Sequence, residues 1–300
     1  MKLKQLATAV ITILLVGNSL IMPAMAVPGW RFLRELFTGG QPQVGSPRGG
    51  TRSDIPYVIT PRRTAILGST PQFQWNPVPS ASTYTVTLRG PDGVLWEAVA
   101  ETSEIAYAGS PALEFDVQYS LTIKTQLNPG TSDPTIISSA DEGLPGLSFY
   151  RLPEADVERL EAALGAIAAQ NLTPLDADLA RARLYRDYNL MSDAIALLEN
   201  LSDAGIQSVA LYRLLGELYL QVNLNTRAGN AFTQTRALAL DTGNLAEQAD
   251  ANVFLAHLAL GTRNPDEAVR LLNEAQALYL RLNHEAEAEA IANWLATFND

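Results

Sequence analysis

The C-terminal half of the chain repeats itself. Leu184-Tyr185, Asn189-Leu190 and Ala194 recur in the same order and spacing as Leu218-Tyr219, Asn223-Leu224 and Ala228, an offset of 34 residues. A fixed period of this size calls for a stack of like units, because one pair of short helices cannot bury its own apolar side and needs a neighbour against it. A third unit follows in Leu255-Ala256, Ala268 and Leu272. Its offset from Ala228 to Ala268 is 40 residues, so longer helices are expected around Asp241-Thr242-Gly243-Asn244.

Within the middle unit, Tyr212-x2-Leu215-Gly216-x2-Tyr219 is followed by Ala228-x3-Phe232. This resembles the tetratricopeptide repeat, with Tyr212 where tryptophan is usual, and the resemblance covers about 174–282. It implies an all-α superhelical solenoid of stacked hairpins. Small residues (Ala182, Gly216, Ala256 on first helices; Ala194, Ala228, Ala268 on second helices) let the helices approach, and Tyr185, Tyr212, Leu215, Tyr219 and Phe232 fill the seam. Ile291, Trp294, Leu295 and Phe298 form an i, i+3, i+4, i+7 stripe, expected of a capping helix, with Glu285, Glu287 and Glu289 solvated. Residues 154–170 read as one more amphipathic helix, a cap or a bridge to what precedes it.

Proline divides the chain. Of 17 prolines only Pro174 and Pro265 lie beyond Pro153, and each follows a capping residue, Thr173 or Asn264, in a first helical turn where a missing N–H does no harm. Before Pro153 the pattern alternates with period two. Phe73 and Trp75 alternate with glutamines and Asn76; Tyr84, Val86 and Leu88 with threonines; Tyr119, Leu121 and Ile123 with Ser120, Thr122 and Lys124. Turn signals at Asn76-Pro77, Gly90-Pro91-Asp92-Gly93 and Asn128-Pro129-Gly130 separate the runs. One apolar face per strand predicts antiparallel sheets in a β-sandwich. Trp75, then Tyr84-Thr85-Val86, then Leu113 six residues before Tyr119, resemble a fibronectin type III or related immunoglobulin-like domain. The last pair has the spacing of a tyrosine corner.

The expected organisation is therefore a leader at 1–26, a linker at 27–55, a β-sandwich at 56–151 and a helical domain at 152–300. Lys2 and Lys4, the apolar run Ala7 to Val16 and Ala24-Met25-Ala26 read as a signal peptide cleaved after Ala26, giving a periplasmic or secreted product with no membrane span. Gly39-Gly40-Gln41-Pro42 and Gly45-Ser46-Pro47-Arg48-Gly49-Gly50 read as linker. Trp30, Leu33 and Phe37 share one side of a short segment that packs on the next domain or docks on a membrane surface.

The chain carries a net charge of −11 and no cysteine. That balance repels phosphate backbones, which sets nucleic acid aside as partner, and it leaves no thiolate chemistry. The two histidines, His257 and His284, sit on a first helix and in a turn, and His284 reads as solvated. No nucleophile elbow, phosphate loop or metalloprotease pair occurs. Glu97, Glu101 and Glu104 cluster near a strand end, but a solvated edge explains them better than a carboxylate pair. Trp75 reads as core. No metal, cofactor or catalytic group is expected.

What remains is an interaction surface. The repeat resemblance implies a protein or peptide partner on the concave face built by first helices, where Arg183, Arg186, Arg213, Glu217, Gln221 and His257 would lie. Three arginines there favour a partner with carboxylates; the alternative is that they are solvated and pair with nearby Asp187 or Glu217. The expected function is an exported, non-enzymatic scaffold. The alternative is a cell-surface adhesion or carbohydrate-binding module using the sandwich, which an exposed Trp96 would favour.

Overall fold

The computed structural model describes residues 49–127, 135–144 and 147–298. The leader, its cleavage point, the Trp30–Phe37 segment and the Asn128-Pro129-Gly130 turn lie outside the described residues.

Two sheets come first. Strands β1 (Val58–Thr60), β3 (Gln72–Trp75) and β6 (Glu104–Ala106) form a three-stranded sheet in the order β1-β3-β6. Strands β2 (Thr64–Ile66), β9 (Phe149–Arg151), β7 (Gln118–Leu127), β4 (Tyr84–Gly90) and β5 (Gly93–Ala100) form the second in the order β2-β9-β7-β4-β5, with β8 (Thr135–Ser138) also on β7. The alternation predicted the buried face: Phe73, Trp75, Tyr84, Val86, Leu88, Tyr119, Leu121 and Ile123 all lie in the core between the sheets. The ladders are antiparallel with one exception, as β2 runs parallel to β9. No hairpin can join these two strands, and parallel neighbours need a long connection, here most of the β region. The Tyr119 hydroxyl accepts from the Glu114 N–H at 2.9 Å, closing the corner next to buried Leu113.

Eight helices follow: α1 (Glu154–Ala168), α2 (Pro174–Asp187), α3 (Met191–Asp203), α4 (Val209–Gln221), α5 (Asn225–Asp241), α6 (Leu245–Gly261), α7 (Pro265–Arg281) and α8 (Glu285–Ala296). They pack as an antiparallel, tetratricopeptide-like array in which α2/α3, α4/α5 and α6/α7 are the three repeats. The 40-residue offset has its expected cause: α5, α6 and α7 each have 17 residues, whereas α3 and α4 have 13. Thr173 and Asn264 cap α2 and α7, accepting from Asp176 N and Glu267 N at 3.2 and 3.3 Å. Ile291 of α8 is buried, and Trp294, Leu295 and Phe298 pack against the same core. No helix among the described residues is long and apolar enough to cross a membrane.

The recurring Leu-Tyr…Asn-Leu signature is a helix stop. Asn189 and Asn223 follow the C-caps of α2 and α4 in the left-handed conformation, with φ of 60° and 57°. Leu190 N donates to Tyr185 O and Leu224 N to Tyr219 O, both at 2.8 Å, while Asn189 N and Asn223 N donate to Arg186 O and Leu220 O. That is the Schellman arrangement, and asparagine suits it because it tolerates positive φ. Arg263 and Asn283 end α6 and α7 in the same way.

The small residues of the seam behave as their spacing implies. Ala182, Ala194, Ala228, Ala256 and Ala268 are completely buried. Gly216 makes room for a ring rather than for another small side chain: a Cβ there would stand 2.7 Å from Phe232 of its own repeat. Phe232 in turn stacks on Phe254 of α6, centroids 4.2 Å apart. The missing side chain thus fixes a contact that passes from the second repeat to the third.

The β region lies on these hairpin turns. Ala65 N donates to Asn189 O at 2.7 Å, and Asn225 N donates to Gly49 O at 3.0 Å. Ile55 and Tyr57 sit in the helical core, while Leu160 of α1 meets Ala65, Leu152 and Leu190. Residues 49–55, at the end of the expected linker, are within the described residues. Gly49, Gly50 and Ile55 are buried there, Ile55 in the helical core, and a Cβ on Gly49 would stand 2.6 Å from Asn223 O and one on Gly50 3.0 Å from Leu224, whereas Ser53 and Asp54 are exposed.

Candidate binding surface

Helices α2, α4 and α6 are the first helices of the repeats, and their polar residues meet on one face. Arg183, Glu217 and His257 hold the same repeat position, offset by 34 and then by 40 residues. Around them runs a ladder of opposite charges. Arg186 Nη1 lies 3.8 Å from Glu217 Oε2, and Arg213 Nη1 donates to Glu217 Oε1 at 3.2 Å. Arg213 Nε stands 3.3 Å from Glu247 Oε2, a charge contact without hydrogen-bond geometry. Arg186 also contacts Asp187 at 3.2 Å. Arg213 and Glu217 keep only 14% and 10% of their side-chain exposure, so these charges are shielded from solvent and interact more strongly than open surface pairs.

Burial pushes the Glu217 carboxyl up from its ordinary value, and Arg213 and Arg186 pull it back. Burial also raises Glu247, against the pull of Arg213. Next on α6, Asp250 is completely buried. Its carboxyl accepts from the Tyr279 hydroxyl of α7, and its Oδ2 has no partner among the described residues. Burial raises it to about 7, the Tyr279 hydrogen bond opposing and Glu247 adding to the rise.

Sequence reasoning placed Arg183, Arg186, Arg213 and Glu217 together, and the structure brings them together. Two of the arginines follow the alternative of pairing with nearby acids. Arg186 and Arg213 are not free guanidinium groups, because Glu217 and Glu247 already face them. Arg183 is different: it is exposed and makes no ion pair or hydrogen bond among the described residues. Partial desolvation, then the neighbouring Arg213 and Arg186, hold its pKa below the ordinary arginine value. Gln221 is half-buried without a hydrogen bond among the described residues. His257 is half-buried too, and burial lowers its pKa. Glu247 was missed because it stands 34 residues after Arg213 where the second and third repeats are offset by 40, so the period did not point to it.

The other candidates resolve differently. His284 is not solvated: its ring stacks on Tyr279 with centroids 6.1 Å apart, because it follows Asn283 in the same helix-stop turn that sets Leu190 over Tyr185. Glu97 and Glu104 do not converge. They lie in different sheets and bond to Thr87 and Gln74. Trp75 is core. Trp96 packs half-buried on Phe73 and Tyr107, at 6.0 and 5.4 Å between centroids, which removes the exposed aromatic that a carbohydrate surface would use. Among the described residues no group of three or more histidines and acids is suited to hold a metal ion.

No protein-family model matches the chain, and no curated protein matches it. Among solved structures, one titled "Crystal structure of MamA" is similar at 18% identity and a TM-score of 0.33, covering 48% of this chain and 92% of that one. A second, "Crystal structure of MamA protein", has the same identity and TM-score and covers 48% of this chain and 82% of that one.

Proposed function

We propose that this chain is an exported, non-enzymatic scaffold that binds a protein or peptide segment along the face formed by α2, α4 and α6. The observation that carries the reading is Arg183, an exposed cation with no ion pair or hydrogen bond among the described residues, near Glu217 and Asp176 but bound to neither, on a face where Arg186 and Arg213 each pair with a carboxylate. A guanidinium left open beside a neutralised ladder gives a bound segment one strong anchor, a forked pair with a carboxylate. The Arg186–Glu217–Arg213–Glu247 ladder then sets register, since a partner meets alternating rather than uniform charge. The partner therefore carries an isolated carboxylate flanked by neutral or mixed-charge residues, not an acidic run. Tetratricopeptide-like helical hairpins support a binding rather than a catalytic role, and no residue constellation above offers a nucleophile with its base.

In this proposal the β region is of the fibronectin type III kind. Its two sheets, buried Trp75 and the Tyr119–Glu114 corner support that reading. It acts as a brace on the hairpin turns. Export rests on Lys2, Lys4, the short apolar run and Ala24-Met25-Ala26. Mass analysis of the mature protein tests it: a first residue of Val27 in a periplasmic or medium fraction supports the proposal, and an intact Met1 on membrane-bound material contradicts it. For binding, cross-linking of captured partners should map to α2 and α4. Cross-links confined to the sheets would replace this reading.

A further inference from the structure

A cleft of about 330 Å³ lies between the β region and the second helices of the first two repeats. One wall comes from β1, β2, β3 and the turns between them, the other from α3 and the start of α5. Clefts of this size between packed units are where small ligands and single side chains settle. The walls are mixed: Ile59, Ile66, Leu67 and Ile195 are apolar, while Gln72, Gln74, Ser192 and Asp193 are polar.

The charges of this cleft do not balance. Arg62 is fully engaged by Glu142 and by backbone carbonyls. Arg227 pairs with Glu199 at 2.8 Å, and Glu199 also accepts from the Tyr219 hydroxyl at 2.5 Å. Asp193 is the remaining ion, half-buried, with no ion pair and no side-chain hydrogen bond among the described residues. Burial raises its pKa, its own backbone N–H opposing. It stands in the first turn of α3, where the helix dipole favours a carboxylate. That explains an acid at this position but not its half-burial in a cleft without a cationic partner among the described residues, which is costly for a charge.

We propose that this cleft binds a primary ammonium group carried on an unbranched aliphatic stem, the chemistry shared by a lysine side chain and a free diamine. The ammonium would pair with Asp193. The Gln74 carbonyl oxygen and the Ser192 hydroxyl are further acceptors, since the Gln74 amide nitrogen is already given to Glu104 at 3.2 Å. The stem would lie on Ile59, Ile66 and Ile195, as long cationic side chains lie on apolar surface while their heads stay polar. A metal ion fits less well, because the cleft offers it a single free carboxylate. The site is separate from the α2–α4–α6 face and does not depend on it.

The test is a titration of the full-length mature chain followed by amide NMR shifts. The probes are Nα-acetyl-lysine N-methylamide, cadaverine, and the uncharged isostere Nα-acetyl-norleucine N-methylamide. Saturable shifts at Ser192–Ile195 and Gln72–Gln74 with at least one ammonium probe, and none with the norleucine probe, are expected. Asp193→Asn should weaken that binding at least tenfold, and Arg183→Glu should leave it unchanged. Binding of the lysine probe alone would assign the site to a peptide, and binding of cadaverine as well would admit a free diamine. Equal binding of the norleucine probe, undiminished binding by Asp193→Asn, or no saturable shift with either ammonium probe would overturn the proposal. Asp193→Glu keeps the charge and should retain most of the affinity, which separates loss of recognition from loss of fold.

Discussion

Arg62 and Glu142 form a forked ion pair with no solvent exposure on either side chain. Nη1 donates to Oε2 and Nη2 to Oε1, both at 2.8 Å. The remaining donors of Arg62 reach Val222 O at 2.5 Å, Val58 O at 2.9 Å and Asn223 O at 3.2 Å, and Glu142 also accepts from Gly50 N at 2.8 Å. One guanidinium thus ties the sheets, the N-terminal segment and the α4–α5 turn into a single polar knot. Removing one partner leaves the other charge buried and alone. Arg62→Ala should therefore cost about 3–5 kcal/mol in urea unfolding, whereas Arg62→Met combined with Glu142→Leu should cost much less. If the single substitution is as mild as the double, the knot does not join the two halves.

Gly216 tests the repeat seam. Its Cβ would meet the Phe232 ring at 2.7 Å, and that ring is held by its stack on Phe254. Gly216→Leu should destabilise the chain by about 1–3 kcal/mol or more through overpacking. Gly165 on α1 is the control. Nothing lies within 4 Å of its missing side chain, so Gly165→Ala should gain up to about 1 kcal/mol. Thermal melts of the two variants should move in opposite directions.

Asp250 predicts a pH dependence. Its folded pKa of about 7 lies above the ordinary aspartate value, so the folded state holds this proton more tightly than the unfolded state. Its stabilising contribution is complete below the unfolded pKa of about 4 and is lost as pH rises through about 7. The groups around it set the sign. Burial and the carboxylates of Glu247 and Glu217 favour the protonated form, while Arg213 and the Tyr279 hydroxyl favour the ionised one. Asp250→Asn removes the titration. The variant should gain on the native chain between pH 4 and 8, by an amount on the order of a few kcal/mol in denaturant unfolding. A constant difference across that range would show that Asp250 does not titrate between the two states.

The parts of this fold that were legible in the sequence are those set by local spacing. Asn189 and Asn223 showed in the sequence as recurring marks of the period, their role as helix stops emerging only from the backbone, and Phe73, Trp75 and Tyr119 mark a face because a strand alternates. The Arg62–Glu142 knot was not legible. Its members are 80 residues apart and each looks like an ordinary surface charge. Asp250 was hidden for another reason. Residues 248–254 of α6 are all buried, since α5 and α7 cover it on both sides, and a helix buried all round shows no polar stripe to read. Pairing of the arginines with Glu217 was an open alternative in the sequence, whereas Glu247 was not legible because it lies off the repeat register that places Arg213.

In the proposed reading the α2–α4–α6 face holds a protein segment through Arg183. The most direct measurement is quantitative cross-linking capture of envelope proteins by the mature chain and by its Arg183→Glu variant, with Arg281→Glu on α7 as a charge-matched control. Arg183 makes no ion pair among the described residues, so reversal should leave the melting temperature nearly unchanged. Arg183→Glu should lose at least tenfold of the captured partner, and Arg281→Glu should capture it in full. Full capture by Arg183→Glu, or equal loss in both variants, would contradict that reading.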